Sequence, residues 1–543
     1  MMRKLTALAS AALAGALIGS AQGPVKYEDI KKGPGADWVT YAGNYAGHRH
    51  SPLKQITPAN APSLTNKWVY HVERANRLQC NPLVKDGVMY VTNSNEVIAL
   101  DARTGRQIWN YHEESAKRAD VNRGVALLND KVYFVTSDAH LVALKASSGA
   151  VVWNSEYADT KLGYFATLAP MAVKDKIIVG VSGGDTGMRG FLAAFDAESG
   201  REAWRTYTVP ARGEPGSETW GDLTVDWGGA GTWLSGTFDP ELNTIFWTTG
   251  NPWPDFYAGD RNGGDNLYSD SLVAFDADTG KMKWHFQFTP KDVWDWDAQS
   301  WPILIDMPWE GQQRKLVFHA NRNGFFYVLD RTNGKFLRAT KLADKITWAT
   351  HIDPKTGRPV LVPGMDPTPN GNIACPSIRG VTNWMGQSYD PALGLYFVPS
   401  LEQCDIFTSS SKKPEPMKGF AGTGVESIPK KPGQFFMRAF DPKTGKRVWE
   451  YPMTGKAEMW AGTVSTATGV LFFGDDDGQM VALDSKTGRH LWHFNTGQNL
   501  TASPITFTAG GKQYVTIATK TDIMTFGLFE PAVSVPVLKE RVE

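Results

Sequence analysis

An eleven-residue string recurs along this chain. A-L-D-A-R-T-G-R-Q-I-W ends at Trp109, A-L-K-A-S-S-G-A-V-V-W at Trp153, A-F-D-A-E-S-G-R-E-A-W at Trp204 and A-F-D-A-D-T-G-K-M-K-W at Trp284. A-F-D-P-K-T-G-K-R-V-W (Trp449) and A-L-D-S-K-T-G-R-H-L-W (Trp492) follow, and a degenerate copy, V-L-D-R-T-N-G-K-F-L-R, ends on Arg338. Each copy reads as an apolar strand, a polar D-x-x-[ST]-G turn whose Gly supplies a positive φ, and a second strand carrying the Trp. One hairpin cannot bury its own faces, so several must stack. The turns begin at 101, 145, 196, 276, 330, 441 and 484, at spacings of 44, 51, 80, 54, 111 and 43 residues. The short steps match a four-stranded propeller blade of about 40–45 residues. The 111-residue gap leaves room for an eighth. The expected fold is an all-β, eight-bladed β-propeller with Trp-docking repeats, its indoles wedged between blades, over residues 35–540 or so.

Composition narrows the function. Lys+Arg and Asp+Glu both total 56, which argues against a nucleic-acid partner, since that calls for a basic excess. Cys80, Cys375 and Cys404 are too few for a disulfide scaffold or a thiolate metal cluster, and no C-x-x-C-H haem attachment string occurs. Arg3 and Lys4 precede an apolar run from Leu5 to Ile18, and Gly19-Ser20-Ala21 offers small residues for cleavage. Residues 1–21 therefore read as a secretory signal peptide and 22–543 as one exported propeller domain. Removing the leader leaves 54 basic against 56 acidic residues, a net of −2. No later run reaches the roughly 18 apolar residues of a membrane-spanning helix. The Pro-, Lys- and Ser-rich stretch over 405–435 reads as a surface loop between blades, with an interdomain linker as the alternative.

Chemistry must come from polar residues that interrupt the repeat. V-W-D-W-D-A holds Asp295 and Asp297; in an extended strand both carboxylates would face one spot while Trp294 and Trp296 face away. Two like charges so close require a cation or a shared proton, unless they are exposed turn residues. T-T-G-N-P-W-P-D-F places Asn251 after a strand. An amide oxygen with carboxylates is the ligand set of a hard cation such as calcium, although Asn-Pro alone is a turn. V-S-G-G-D-T-G-M-R-G carries Ser182 and Asp185, with glycines not spaced as a phosphate loop. No H-E-x-x-H string and no clear Ser or Cys nucleophile context is present.

The Trp-ended repeat, S-G-G-D-T-G-M-R-G, T-G-N-P-W-P, G-D-N-L-Y, W-D-W-D and R-N-G-F-F-Y-V-L-D-R, in that order, resemble the pyrroloquinoline-quinone (PQQ)-dependent alcohol dehydrogenases, the methanol/ethanol dehydrogenase family. The resemblance covers nearly the whole chain beyond the leader. It implies an eight-bladed propeller with PQQ and one metal ion near its axis. It implies Asp295 as catalytic base, and Asp185, Asn251, Asp295 and Asp297 at the metal. Trp233, in G-G-A-G-T-W, matches the floor under the quinone ring; Arg123 and Arg322 match contacts to its carboxylates and carbonyls. Thr167, Ser182, Asn383 and Trp460 match further cofactor contacts, and Gln79, also taken as a cofactor contact, stands where family members often place a Glu near a quinone carboxylate. These residue types suit a flat, anionic ring, which an indole can stack on and guanidiniums can pair with. The implied reaction oxidises a small alcohol to an aldehyde in the periplasm by hydride transfer to PQQ, with a soluble cytochrome c as acceptor; a homodimer stays open. The alternatives are a quinoprotein acting on sugars, polyols or aldehydes, and a non-catalytic envelope scaffold.

Three departures from the family pattern stand out. S-A-K-R-A-D-V-N-R-G, with Lys117-Arg118, replaces the adjacent cysteines that many relatives hold over the quinone. Asp185 stands where the family usually has the longer Glu. Asp297 stands where calcium-type relatives commonly have a small neutral residue, and resembles the extra Asp of lanthanide-dependent members. An added negative ligand favours a trivalent ion, so the ion is expected to be a lanthanide or Ca2+. Cys375 (A-C-P-S) and Cys404 (L-E-Q-C) match a family disulfide, which would leave Cys80 a free, buried thiol.

Overall fold

The computed structural model describes residues 23–114, 119–222, 225–257, 259, 261, 263–410, 415–417, 424–429, 431–455 and 461–531. The leader (1–21), Lys117-Arg118, Trp460 and parts of the 405–435 stretch lie outside the described residues.

The first blade is a four-stranded antiparallel sheet of Leu83–Lys85, Val88–Asn93, Glu96–Asp101 and Gln107–His112, ordered from the hub outward. Blades over 126–156, 171–207, 237–287, 303–341, 388–452 and 463–495 repeat it, the last with the short strand His50–Ser51 added in parallel. The eighth takes Ile505–Ala509, Lys512–Ala518 and Asp522–Leu528 from one end of the chain and Leu64–His71 from the other. Leu64 pairs with Leu528 and His71 with Asp522, closing the ring. Inner strands are pressed by blades on both faces and read as continuous apolar runs. The outermost strand faces water on one side, and in Gln107–His112 only Trp109 is fully buried.

The repeat string is explained by how blades dock. Gly149 has φ 71°, and a Cβ there would lie 2.7 Å from the Trp109 ring, so the indole of one blade lies flat on the turn of the next. Its Nε1 donates to Ala146 O at 2.9 Å. Trp153, Trp204, Trp449 and Trp492 donate in the same way to Ala197, Ala277, Ser485 and Leu64. Where the string ends on Arg338, the guanidinium donates to the Pro442 and Lys443 carbonyls and lies 4.5 Å from the Trp309 ring centroid. That degenerate copy keeps the dock and changes its chemistry.

Two sequence expectations need correction. The 111-residue gap does not hold the eighth blade. It holds a hairpin of Ala349–Ile352 with Pro359–Leu361, plus a small sheet of Asn372–Ala374, Asp405–Thr408 and Gly424–Ser427. The eighth blade carries no repeat string because its two outer strands come from opposite chain ends; its docking indole is Trp68, which donates to Ala102 O. The same sheet means that 405–435 is not wholly a loop.

Cys375 and Cys404 are disulfide-bonded and Cys80 is buried and free, as the resemblance implied. The bridge closes a loop with a sequence separation of 29. Replacing both cysteines by Ser is expected to remove about 3–4 kcal/mol of stability by chain-entropy reasoning, read as a lower urea midpoint, with a steeper slope because the unfolded chain is less constrained. Among the described residues no helix is long and apolar enough to cross a membrane.

Candidate active site

The inner strand of each blade begins, and its second strand ends, on the same face of the ring. Arg123 precedes Ala126–Leu128; Thr167 precedes Met171–Val173, and Ser182 and Asp185 follow Lys176–Gly180. Trp233 precedes Thr237–Asp239, and Asn251 follows Thr244–Thr248. Asp295 and Asp297 precede Ile303–Trp309, and Arg322 follows Gln312–Ala320. Residues up to 174 apart in sequence thus meet at the hub, where Arg123, Thr167, Ser182, Asp185, Trp233, Asn251, Asp295 and Asp297 line a cavity of ≈ 210 Å³.

The W-D-W-D segment is not the extended strand the sequence suggested. It is an irregular loop in which Asp295 takes φ 59°. Asp292 organises it by accepting the Trp294 and Trp296 N–H groups at 2.9 and 2.7 Å. The two indoles stack on each other at 4.8 Å and 16° and pack into the core. Asp295 and Asp297 still converge, through a left-handed backbone turn and not through strand alternation.

Asp297 is the best-held group in the site. Its Oδ1 accepts the Asn251 N–H at 2.7 Å and its Oδ2 an Arg322 N–H at 2.5 Å, and the Trp233 side chain also hydrogen-bonds to it. A Cβ on Gly250 would sit 2.3 Å from Asp297 Oδ1, so a side chain at 250 would exclude this approach. Arg322 also lies 3.9 Å from Asp295 Oδ2 and donates to Ile378 O at 2.5 Å. Arg123 donates to Thr167 Oγ1 at 2.6 Å, and Thr167 and Ser182 share a hydroxyl hydrogen bond of 3.1 Å. The Arg123 guanidinium lies 4.8 Å from the Trp233 ring centroid and 4.9 Å from that of Trp384.

Burial pushes the Asp295 carboxyl well up, Arg322 opposing and Asp297 adding to the shift. Burial likewise raises Asp297 against Arg322. Desolvation and then the Asp297 charge raise Asp185, opposed by Arg322 and the Asn251 hydrogen bond, and the residue stands more exposed than the other carboxylates of the site. Burial with the charges of Asp185 and Asp297 raises Asp255 strongly. Two guanidiniums, Arg123 and Arg322, among four carboxylates leave a deficit of positive charge that a bound cation would fill.

An anionic ring has waiting donors as well: among the described residues the buried Nε groups of Arg123 and Arg322 have no protein partner. The residues present therefore fit both PQQ and a hard metal ion. Gln79 is buried beside this rim, since Asn81, two residues on, donates its N–H to Arg123 O. Asn383 does not line the cavity: its Nδ2 donates to Arg379 O and its Oδ1 accepts the Trp384 N–H, so its amide braces the turn that carries Trp384. Sequence reading passed over Asp255, Trp384 and Gly250. Asp255 stood inside the quoted T-G-N-P-W-P-D-F string, four residues after Asn251.

Comparison with known proteins establishes the family. The glucose/ethanol/alcohol dehydrogenase β-propeller (PQQ) domain family matches residues 38–341 and 452–515. Quinohemoprotein alcohol dehydrogenase ADH IIB of Pseudomonas putida is 40% identical over 511 residues, 89% of this chain and 73% of that protein. Quinoprotein alcohol dehydrogenase PedH, also of Pseudomonas putida, is 38% identical over 537 residues, 92% of this chain and 89% of that protein. A europium-containing methanol dehydrogenase structure superposes with a TM-score of 0.85 at 30% identity, covering 92% of this chain and 100% of that one. The chain belongs to the PQQ-dependent quinoprotein alcohol dehydrogenases and is an enzyme of that kind.

Proposed function

We propose that the mature chain oxidises small alcohols to aldehydes in the periplasm, with Asp295 as base, a lanthanide ion at the hub and a soluble cytochrome c as electron acceptor. The observation that carries this reading is the meeting of Asp185, Asn251, Asp295 and Asp297 around one cavity floored by Trp233. PQQ would supply the two-electron hydride acceptor there, and the ion the Lewis acidity that polarises it. Trp233 offers the stacking face, and Arg123 and Arg322 the N–H donors that orient an anionic ring. Asp295 takes the hydroxyl proton of the alcohol, with Arg322 holding its carboxylate in place from 3.9 Å.

A third carboxylate at the ion, Asp297, favours a trivalent cation, and a europium-containing relative supports that preference. Electrons must leave one at a time. The 543 residues hold no haem attachment string, two of their cysteines form the disulfide and the third is buried. These residues would therefore pass electrons to a haem centre outside them, and a soluble cytochrome c is our reading for it. The signal-like first 21 residues support export.

The test is reconstitution of residues 22–543 with PQQ and either La3+ or Ca2+, following dye reduction with an alcohol panel. Turnover is expected only with quinone and ion together, and faster with La3+. Asp297→Ala is expected to reverse the ion preference by roughly tenfold or more, about 1.4 kcal/mol or above. Failure of the chain to take up quinone would end this reading.

A further inference from the structure

Asp255 is the carboxylate of the hub that no role has absorbed. It does not line the cavity, yet it accepts a hydrogen bond from Asn251 Nδ2, it feels the charge of Asp185, and its own charge is felt by Asp295. The Asn251 side chain also hydrogen-bonds to Asp185, so its amide bridges carboxylates on two different loops. An ionised carboxylate can only accept, so it fixes which end of the amide it faces. The nitrogen is turned to Asp255, and the oxygen is left toward Gly184, on the cavity wall, where a built Cβ would lie 3.4 Å from Oδ1. Without Asp255 the amide nitrogen would keep one carboxylate partner, Asp185, itself expected to turn to the ion, and the amide could then offer N–H groups where a cation needs an oxygen.

Resting on the reading of this hub as a metal site, we propose that Asp255 is a positioning residue: it locks the Asn251 amide with its oxygen toward the ion, and its own charge adds to the site's preference for trivalent cations. The two contributions separate by substitution. Asp255→Asn keeps an acceptor for Asn251 Nδ2 and removes the charge. Asp255→Ala removes both. Loss of the hydrogen bond weakens every ion, whereas loss of one negative charge weakens a trivalent ion more than a divalent one.

The experiment is equilibrium binding of Tb3+, read by Trp-sensitised luminescence, and of Ca2+ by competition, on the mature chain loaded with PQQ. Asp255→Ala is expected to weaken both ions at least tenfold. Asp255→Asn is expected to bind Ca2+ within threefold of the parent and Tb3+ three- to tenfold more weakly. The proposal is overturned if Asp255→Ala binds both ions like the parent, or if Asp255→Asn fails to recover Ca2+ binding. Should Asp255→Ala not fold, Asp255→Asn decides alone, and an unchanged ratio of Tb3+ to Ca2+ affinity overturns it. A parent protein that binds neither ion removes the metal site itself, and this inference with it; a parent that binds beside indifferent variants removes only Asp255.

Discussion

Asp295→Asn is expected to give a folded enzyme that takes up quinone and ion but turns alcohol over about 10²- to 10⁴-fold more slowly, the usual contribution of a positioned general base. The substitution is well suited to isolating that role. Asp295 sits at φ 59°, a region that Asn tolerates at least as readily as Asp, so the loop between the stacked Trp294 and Trp296 should keep its shape. The amide oxygen of Asn can still face Arg322 and still contact a cation. What it cannot do is accept the proton that the alcohol must lose. Asp295→Ala would mix this loss with backbone strain and with a cavity beside Arg322, and is the poorer test. The measurement is single-turnover bleaching of the quinone absorbance with excess alcohol, together with ion affinity. A variant that binds ion normally and keeps more than a tenth of the parent rate would place the base elsewhere.

The propeller was legible because its signal is periodic and local. The D-x-x-[ST]-G turn and the following Trp lie within eleven residues, and each does its work on the adjacent blade. The eighth blade was misplaced for the opposite reason: Leu64–His71 and Asp522–Leu528 are sequence-distant, and no string can mark a turn that the chain never makes. The site shows the same division. Residues with a motif around them, Asp185, Asn251, Asp295 and Asp297, were found and do converge. The reason they converge was misread, because an αL residue at Asp295 has no sequence signature beyond the tolerance of Asp for it. Asp255 and Trp384 were passed over since their partners, Asn251 and Arg123, are fixed by tertiary packing. Gly250 was invisible as well, being needed only because Asp297, on the next blade, comes within 2.3 Å of where a Cβ would be.

Arg49 shows how far such packing can escape sequence reading, and it leads to the second large effect. It is fully buried and makes no ion pair among the described residues. Its Nε donates to Thr463 O at 2.7 Å, and its terminal nitrogens to Tyr41 O at 3.0 Å and Pro504 O at 2.5 Å. The guanidinium lies 5.6 and 5.5 Å from the ring centroids of Trp38 and Trp301. Burial lowers its pKa to about 9, so it remains a cation at neutral pH. One side chain thus ties the N-terminal segment to the hub ends of the seventh and eighth blades. Arg49→Met fills a similar stem volume but strands three buried carbonyls, at about 1–3 kcal/mol each, against a smaller gain from no longer burying a charge. A net loss of roughly 2–4 kcal/mol is expected on that balance, read as a lower urea midpoint and as faster amide exchange at Ser465, whose N–H is held by Arg49 O. Arg49→Lys separates fork from charge. A lysine ammonium keeps the cation but cannot reach three carbonyls in one plane, so it should be no more stable than Met. If Lys restored parent stability, charge against the two indoles would be the fastening, and the three-way fork would not.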